Sequence, residues 1–139
     1  MIHSTSCRSR AISSVTRPLE TFVQAYSRRN RREARFSHSG GEISLDITIL
    51  DNLRKLLRSL VMLRLEQDEA APSSIHITFQ RDEERVLAVF EDDGGALETG
   101  TGLQDIQTGL QKMGGDIRRV ALPGKGMRFH ISIPLAMVV

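Results

Sequence analysis

One cysteine, Cys7, is all the chain contains, so an internal disulfide and a cysteine-based zinc site are both excluded. Such thiol economy fits a reducing, cytoplasmic compartment. Tryptophan is absent and aromatic residues make up only 4% of the sequence. Aliphatic side chains must therefore build the core, and an aromatic base-stacking surface has little to draw on. No apolar run approaches the roughly 18 residues of a membrane span. The N-terminal stretch MIHSTSCRSRAISSVTR lacks the apolar centre of a secretory signal and has no acid before Glu20. Its Ser/Arg composition suits a mitochondrial presequence or a bacterial leader. The reading adopted is a disordered leader over residues 1–16 followed by a single domain over 17–139.

What is present describes a globular chain of 139 residues and 15.5 kDa, 40% hydrophobic and 26% charged, long enough for one domain with a real core. The net charge of +2 hides an asymmetry. Through Arg35 there are eight arginines against Glu20 and Glu33, a surplus of six, so the remainder of the chain carries a deficit of four. A basic arm on an acidic body could meet nucleic acid, lipid headgroups or an acidic partner, or be no more than a solvated face. Without aromatic-rich motifs beside the arginines, nucleic acid is the weakest of these.

Periodicity places a helix from Pro18 through PLETFVQAYSRRN, a turn at HSGGE and a short strand EISL. A long helix follows from about Asp46, with Leu50, Leu53, Leu56, Leu57, Leu60 and Leu63 as its apolar stripe. SIHITF and RVLAVFE alternate as strands, GLQDIQTGLQKM is helical, and Gly114-Gly115 ends that helix. DIRRVAL and MRFHISIPL are the last strands, joined at PGKG. The expected fold is an α/β two-layer sandwich, one mixed and mostly antiparallel sheet with helices on one face.

Three stretches carry a family resemblance. SLDITILDNLRKLLRSLVMLRLE, the glycine-rich FEDDGGALETGTGLQDI and the tail LQKMGGDIRRVALPGKGMRFHISIPLAMVV together resemble the ATP-binding domain of chemotaxis-type histidine kinases, within the GHKL ATPase superfamily. The likeness runs from about Pro18 to the C-terminus, and the dimerisation, phosphohistidine and adaptor domains of such kinases are absent from it. The resemblance implies that Ser59 stands where the family has its magnesium-coordinating Asn, with Met62, Leu63 and Arg64 replacing the following Asp-His-Gly. It implies that Asp92 is the acceptor of the adenine amino group and Gly94 a glycine that lets backbone close over the ring, while the final glycine of that motif is replaced by Ala96. Gly100 and Gly102 keep the second glycine box, Met127 replaces its later Thr, and the lid between the boxes is missing, because LETG follows Ala96 at once.

A triphosphate carries about four negative charges and needs a metal with backbone or basic donors. Ser59 is a weaker metal ligand than an amide oxygen, Leu63 is none, and Glu91, Asp92 and Asp93 would bring three carboxylates close to the phosphates. The expectation is therefore a non-catalytic, pseudo-ATPase module with a vestigial nucleotide site at Ser59, Asp92, Gly94, Gly100 and Gly102, and with no catalytic residue, metal or cofactor. The alternative is retained ATP or ADP binding with magnesium. Its partner would be a bacterial signalling protein, such as a response regulator, a kinase or an anti-sigma component. That partner would meet Arg28, Arg29, Arg31 and Arg32 on the first helix, or Arg118 and Arg119. His76 and His130 take the parity opposite to Ile75, Ile77, Phe129 and Ile131 and read as surface histidines, and His38 reads as a turn residue.

Overall fold

The computed structural model describes residues 9–66, 72–95, 101–121 and 126–135. In chain order the elements are β1 (Ser9–Ala11), α1 (Ser13–Asn30), β2 (Arg35–Ser39), β3 (Ser44–Asp46), α2 (Ile47–Leu65), β4 (Ser74–Arg81), β5 (Arg85–Asp92), α3 (Thr101–Lys112), β6 (Asp116–Ala121) and β7 (Met127–Pro134). The main sheet has the order β2-β4-β5-β7-β6, with β2 parallel to β4 and every other pair antiparallel. It is the expected two-layer α/β sandwich.

Strict alternation decides which face is covered. Ile75, Ile77 and Phe79 of β4, Val86, Ala88 and Phe90 of β5, and Phe129, Ile131 and Ile133 of β7 are all buried. Against them lie Leu53, Leu57, Leu60 and Val61 of α2, which are fully buried, with Leu19 and Val23 of α1 and Leu110 of α3. Each such Val, Leu, Ile or Phe side chain contributes about 1.5–3 kcal/mol by leaving water. The opposite sheet face is mostly polar, with Leu87 and Val89 of β5 half-buried among the polar side chains. His76 sits there between Ser37 and Ser39, whose hydroxyls lie 2.6 and 3.0 Å from Nδ1 and Nε2. His130 lies two strands away, beyond β5, so the two imidazoles do not meet.

Two expectations need correction. Residues 9–11 and 13–16 belong to regular elements: β1 pairs with β3 as a separate two-stranded ribbon, and α1 begins at Ser13 rather than Pro18. Ile12, Val15, Leu19 and Val23 recur at helical spacing and are buried, which draws the first turn onto the core. Pro18 thus lies inside the helix and removes the amide that the Ser14 carbonyl would receive. Ser14 is exposed, so water can take that place. Residues 1–8, Cys7 among them, lie outside the described residues.

Local chemistry explains the helix ends that matter for the site. Asp46 caps α2, its Oδ1 accepting from the Thr48 amide at 2.8 Å. At the end of α3 the amides of Gly114 and Gly115 donate to the carbonyls of Gln111 and Leu110, a Schellman closure with Gly114 at φ +76°. Tyr26 Oη donates to the Leu65 carbonyl at 2.8 Å and ties α1 to the C-terminal turn of α2.

Candidate functional site

Arg64 and Asp92 stand on the buried faces of α2 and β5, and both side chains are completely removed from solvent. Arg64 Nε donates to Asp92 Oδ2 at 2.6 Å, and Nη2 donates to Oδ1 at 2.8 Å. The same Nη2 reaches the Gly95 carbonyl at 2.6 Å, and the Gly94 amide donates to Asp92 Oδ1 at 2.9 Å. This is a forked, charge-assisted pair of the strong kind. Nη1 of Arg64 is buried without an acceptor among the described residues. Arg64 thus fills the ground in front of Asp92 and binds the loop that follows it.

The three consecutive carboxylates do not converge, contrary to the sequence expectation. Asp92 turns inward to Arg64. Glu91 lies on the outer sheet face and accepts from Arg128 Nε at 3.0 Å. Asp93 fastens the start of β4, its Oδ1 accepting from the Ser73 amide at 2.8 Å and the Ser74 amide at 3.0 Å, and its Oδ2 from the Ser73 hydroxyl at 2.6 Å. Partial burial pushes the Asp93 carboxyl up, but the Ser73 hydroxyl and the Ser74 and Ser73 amides together outweigh it and hold it below its ordinary value.

A depressed carboxylate stabilises the fold above its unfolded pKa of about 3.9, and that contribution vanishes as pH falls through the folded value. Asp93→Ala is therefore expected to lower stability at neutral pH by about 1 kcal/mol, discounted for solvent exposure. At a pH below the depressed folded value the difference should narrow. Urea unfolding at the two pH values checks it, and a difference independent of pH would refute it.

A groove of about 660 Å³ runs between α2 and α3. Ser59 and Gly102 line it, together with Leu56, Met62, Leu63 and Ile106. Ser59 Oγ donates back to the Lys55 carbonyl at 3.0 Å, so its proton is already used within the helix. Leu63 packs on the first turn of α3: a Cβ added at Gly102 would come within 2.8 Å of Leu63 Cδ1. A larger residue at this position would require the Leu63 side chain to shift. Met127 is buried in the core.

The five sequence-predicted residues therefore separate. Ser59 and Gly102 share the groove, Asp92 and Gly94 lie behind Arg64, and Gly100 lies outside the described residues. The arginines proposed for a partner also divide. Arg28, Arg29 and Arg31 are exposed at the end of α1, and Arg32 is half-buried there. Arg118 and Arg119 are exposed on the edge strand β6, but alternation sends them to opposite sheet faces, so they form no single patch.

No family model matches the sequence, and no curated protein does. Solved structures do match. The catalytic domain of histidine kinase ThkA in a nucleotide-free form superposes with a TM-score of 0.70 at 15% identity, covering 94% of this chain and 97% of that one. This is the fold of histidine kinase catalytic domains. Acinetobacter baumannii histidine kinase AdeS matches with a TM-score of 0.68 at 13% identity over 91% of this chain and 67% of that one. The blue-light activated histidine kinase EL346 of Erythrobacter litoralis matches with 0.68 at 16% identity over 87% of this chain, which spans 42% of its length. Leu63 lines the groove between α2 and α3, and Arg64, the next residue of α2, engages Asp92 at the end of β5.

Proposed function

We propose that the chain is a non-catalytic, histidine-kinase-like module of bacterial two-component or chemotaxis-type signalling that acts by binding a protein partner. The observation that carries this is the Arg64–Asp92 pair. An aspartate that accepts from a guanidinium at both oxygens, with a backbone amide on one of them, has three of its roughly four lone-pair sites taken and little left to receive an adenine amino group. A guanidinium also occupies volume that the ring would need. Ser59 and Leu63 supply no adequate metal ligand, and Leu63 covers the α3 turn whose amides would meet phosphate. Asn52, Lys55, Asp105 and Lys112 also line the groove, but with Asp92 engaged by Arg64 and Ser59 in place of an amide the residues fit a magnesium triphosphate poorly, and no phosphoryl-transfer step is derived through one.

The chain would then transmit by its surface, with a response regulator, a kinase or an anti-sigma component as partner. A cytoplasmic location goes with this reading, and no described helix is long and apolar enough to cross a membrane. Titrating the protein with a fluorescent ATP analogue and magnesium is expected to give no saturable binding up to millimolar concentration. Saturable micromolar binding, competed by unlabelled ATP, would establish the nucleotide-binding alternative instead.

A further inference from the structure

The outer surface of α1 and α2 holds a second cleft, of about 500 Å³, lined by Arg17, Pro18, Phe22, Ala25, Arg54 and Arg58. Its floor is apolar and its walls are three exposed guanidinia. The Arg58 guanidinium sits over the Phe22 ring, 5.2 Å from its centroid.

The acids on these two helices are engaged by groups other than Arg17 and Arg58, Asp51 by the third wall arginine, Arg54. Asp51 is shared by Arg54 and Lys55, Glu20 accepts from Gln24, and Asp46 caps α2. Among the described residues neither Arg17 nor Arg58 has a carboxylate within ion-pair distance. Two uncompensated arginines flanking a half-buried aromatic ring make a surface with strong charge preference and an apolar anchor point. Arginine and aromatic side chains are the residue types that dominate binding energy at protein interfaces.

We propose that this cleft is the docking site for an acidic, amphipathic segment of a partner protein. Arg17 and Arg58 take its carboxylates, and Phe22, Pro18 and Ala25 seat an apolar side chain. The inference rests on the reading of the chain as a binding module and names the chemistry of the partner. Charge complementarity and the mixed lining select this occupant. A nucleic-acid backbone would satisfy the guanidinia but leave Phe22, Pro18 and Ala25 facing water. A lipid surface would demand a row of insertable apolar residues, and α1 offers one aromatic ring here.

The test is fluorescence anisotropy on the full chain at physiological ionic strength. The probe is a fluorescein-labelled peptide of about twelve residues, with leucines one helical turn apart and glutamates between them. A permuted peptide of the same composition serves as control. The ordered peptide is expected to bind saturably, and R17E/R58E is expected to weaken it about tenfold or more. Both arginines are exposed, so the charge-reversed protein should keep its circular dichroism spectrum. Phe22→Ala should weaken binding independently of salt.

Absence of saturable binding, or equal affinity in R17E/R58E, overturns the proposal. So does tighter binding of phosphatidylserine vesicles or a single-stranded oligonucleotide than of the peptide. The ATP titration is run on the same samples: saturable ATP binding defeats the non-catalytic reading and leaves the cleft standing, whereas unchanged peptide affinity defeats the cleft alone.

Discussion

Replacing Arg64 with methionine is expected to lower the unfolding free energy by about 3–5 kcal/mol, because it leaves the Asp92 carboxylate buried without its counter-charge. A domain of this size has about 5–15 kcal/mol in total, so the variant should sit near the edge of folding. Asp92→Asn should cost a comparable amount by stranding the guanidinium. The double variant R64M/D92N should lose clearly less than the two single losses together, since no bare charge remains. It will not return to the starting stability, because the Gly95 carbonyl loses its donor. Urea unfolding with unchanged m-values measures all three. A loss under about 1 kcal/mol in R64M would mean that the pair is solvated, and the argument against an adenine site would go with it.

This pair was half legible in the sequence. Leu57, Leu60, Val61 and Arg64 share one face of α2, so a cation falls on the apolar stripe. Val86, Ala88, Phe90 and Asp92 share one face of β5, so an anion falls on the buried parity. A buried charge needs a partner, and these are the charged side chains among the buried residues described. The signal existed in two separate periodicities, and only the packing of helix on sheet joins them. The three-residue strands β1 and β3 left no such signal. Their pairing links residues some 35 positions apart, Ser9 with Asp46 and Ala11 with Ser44, and too few residues alternate for a pattern. At α1 the preference of proline for a helix start misled, because apolar positions upstream of Pro18 outweighed it.

The same physics shapes where a partner can act. On the binding-module reading a partner is met elsewhere than at Asp92, because Arg64 engages that carboxylate and Leu63 packs on the first turn of α3. Recognition then falls to surfaces whose charges are not already spoken for. The outer sheet face is partly self-satisfied through Glu91–Arg128 and Arg85–Ser132. Across the α1–α2 face Arg17 and Arg58 have no hydrogen-bond acceptor among the described residues, and a bidentate guanidinium is the donor best suited to a carboxylate.

Gly40→Ala is the other substitution expected to be severe, at about 3 kcal/mol or more. Gly40 adopts φ +127°, a backbone conformation that L residues scarcely enter. An added Cβ would also fall inside van der Waals contact with the Phe79 carbonyl oxygen, and within 2.9 Å of the Phe79 carbonyl carbon and amide nitrogen. Those atoms belong to β4 at the centre of the core and cannot yield. The chain from β2 into β3 must move instead, and with it the Ile43 carbonyl that accepts from the Ile12 amide at 2.7 Å.

Its neighbour is the control. Gly41 has φ +72°, but a Cβ there meets nothing within 4 Å, so Gly41→Ala should cost only the left-handed penalty of about 1–2 kcal/mol. The sequence HSGGE announces a turn and cannot rank its two glycines, since the rank is set by a strand almost forty residues away. Urea unfolding separates them, and hydrogen exchange should show β2 amides opening more readily in the Gly40 variant alone. Equal costs for the two alanines would mean that β2 does not lie against Phe79 as described.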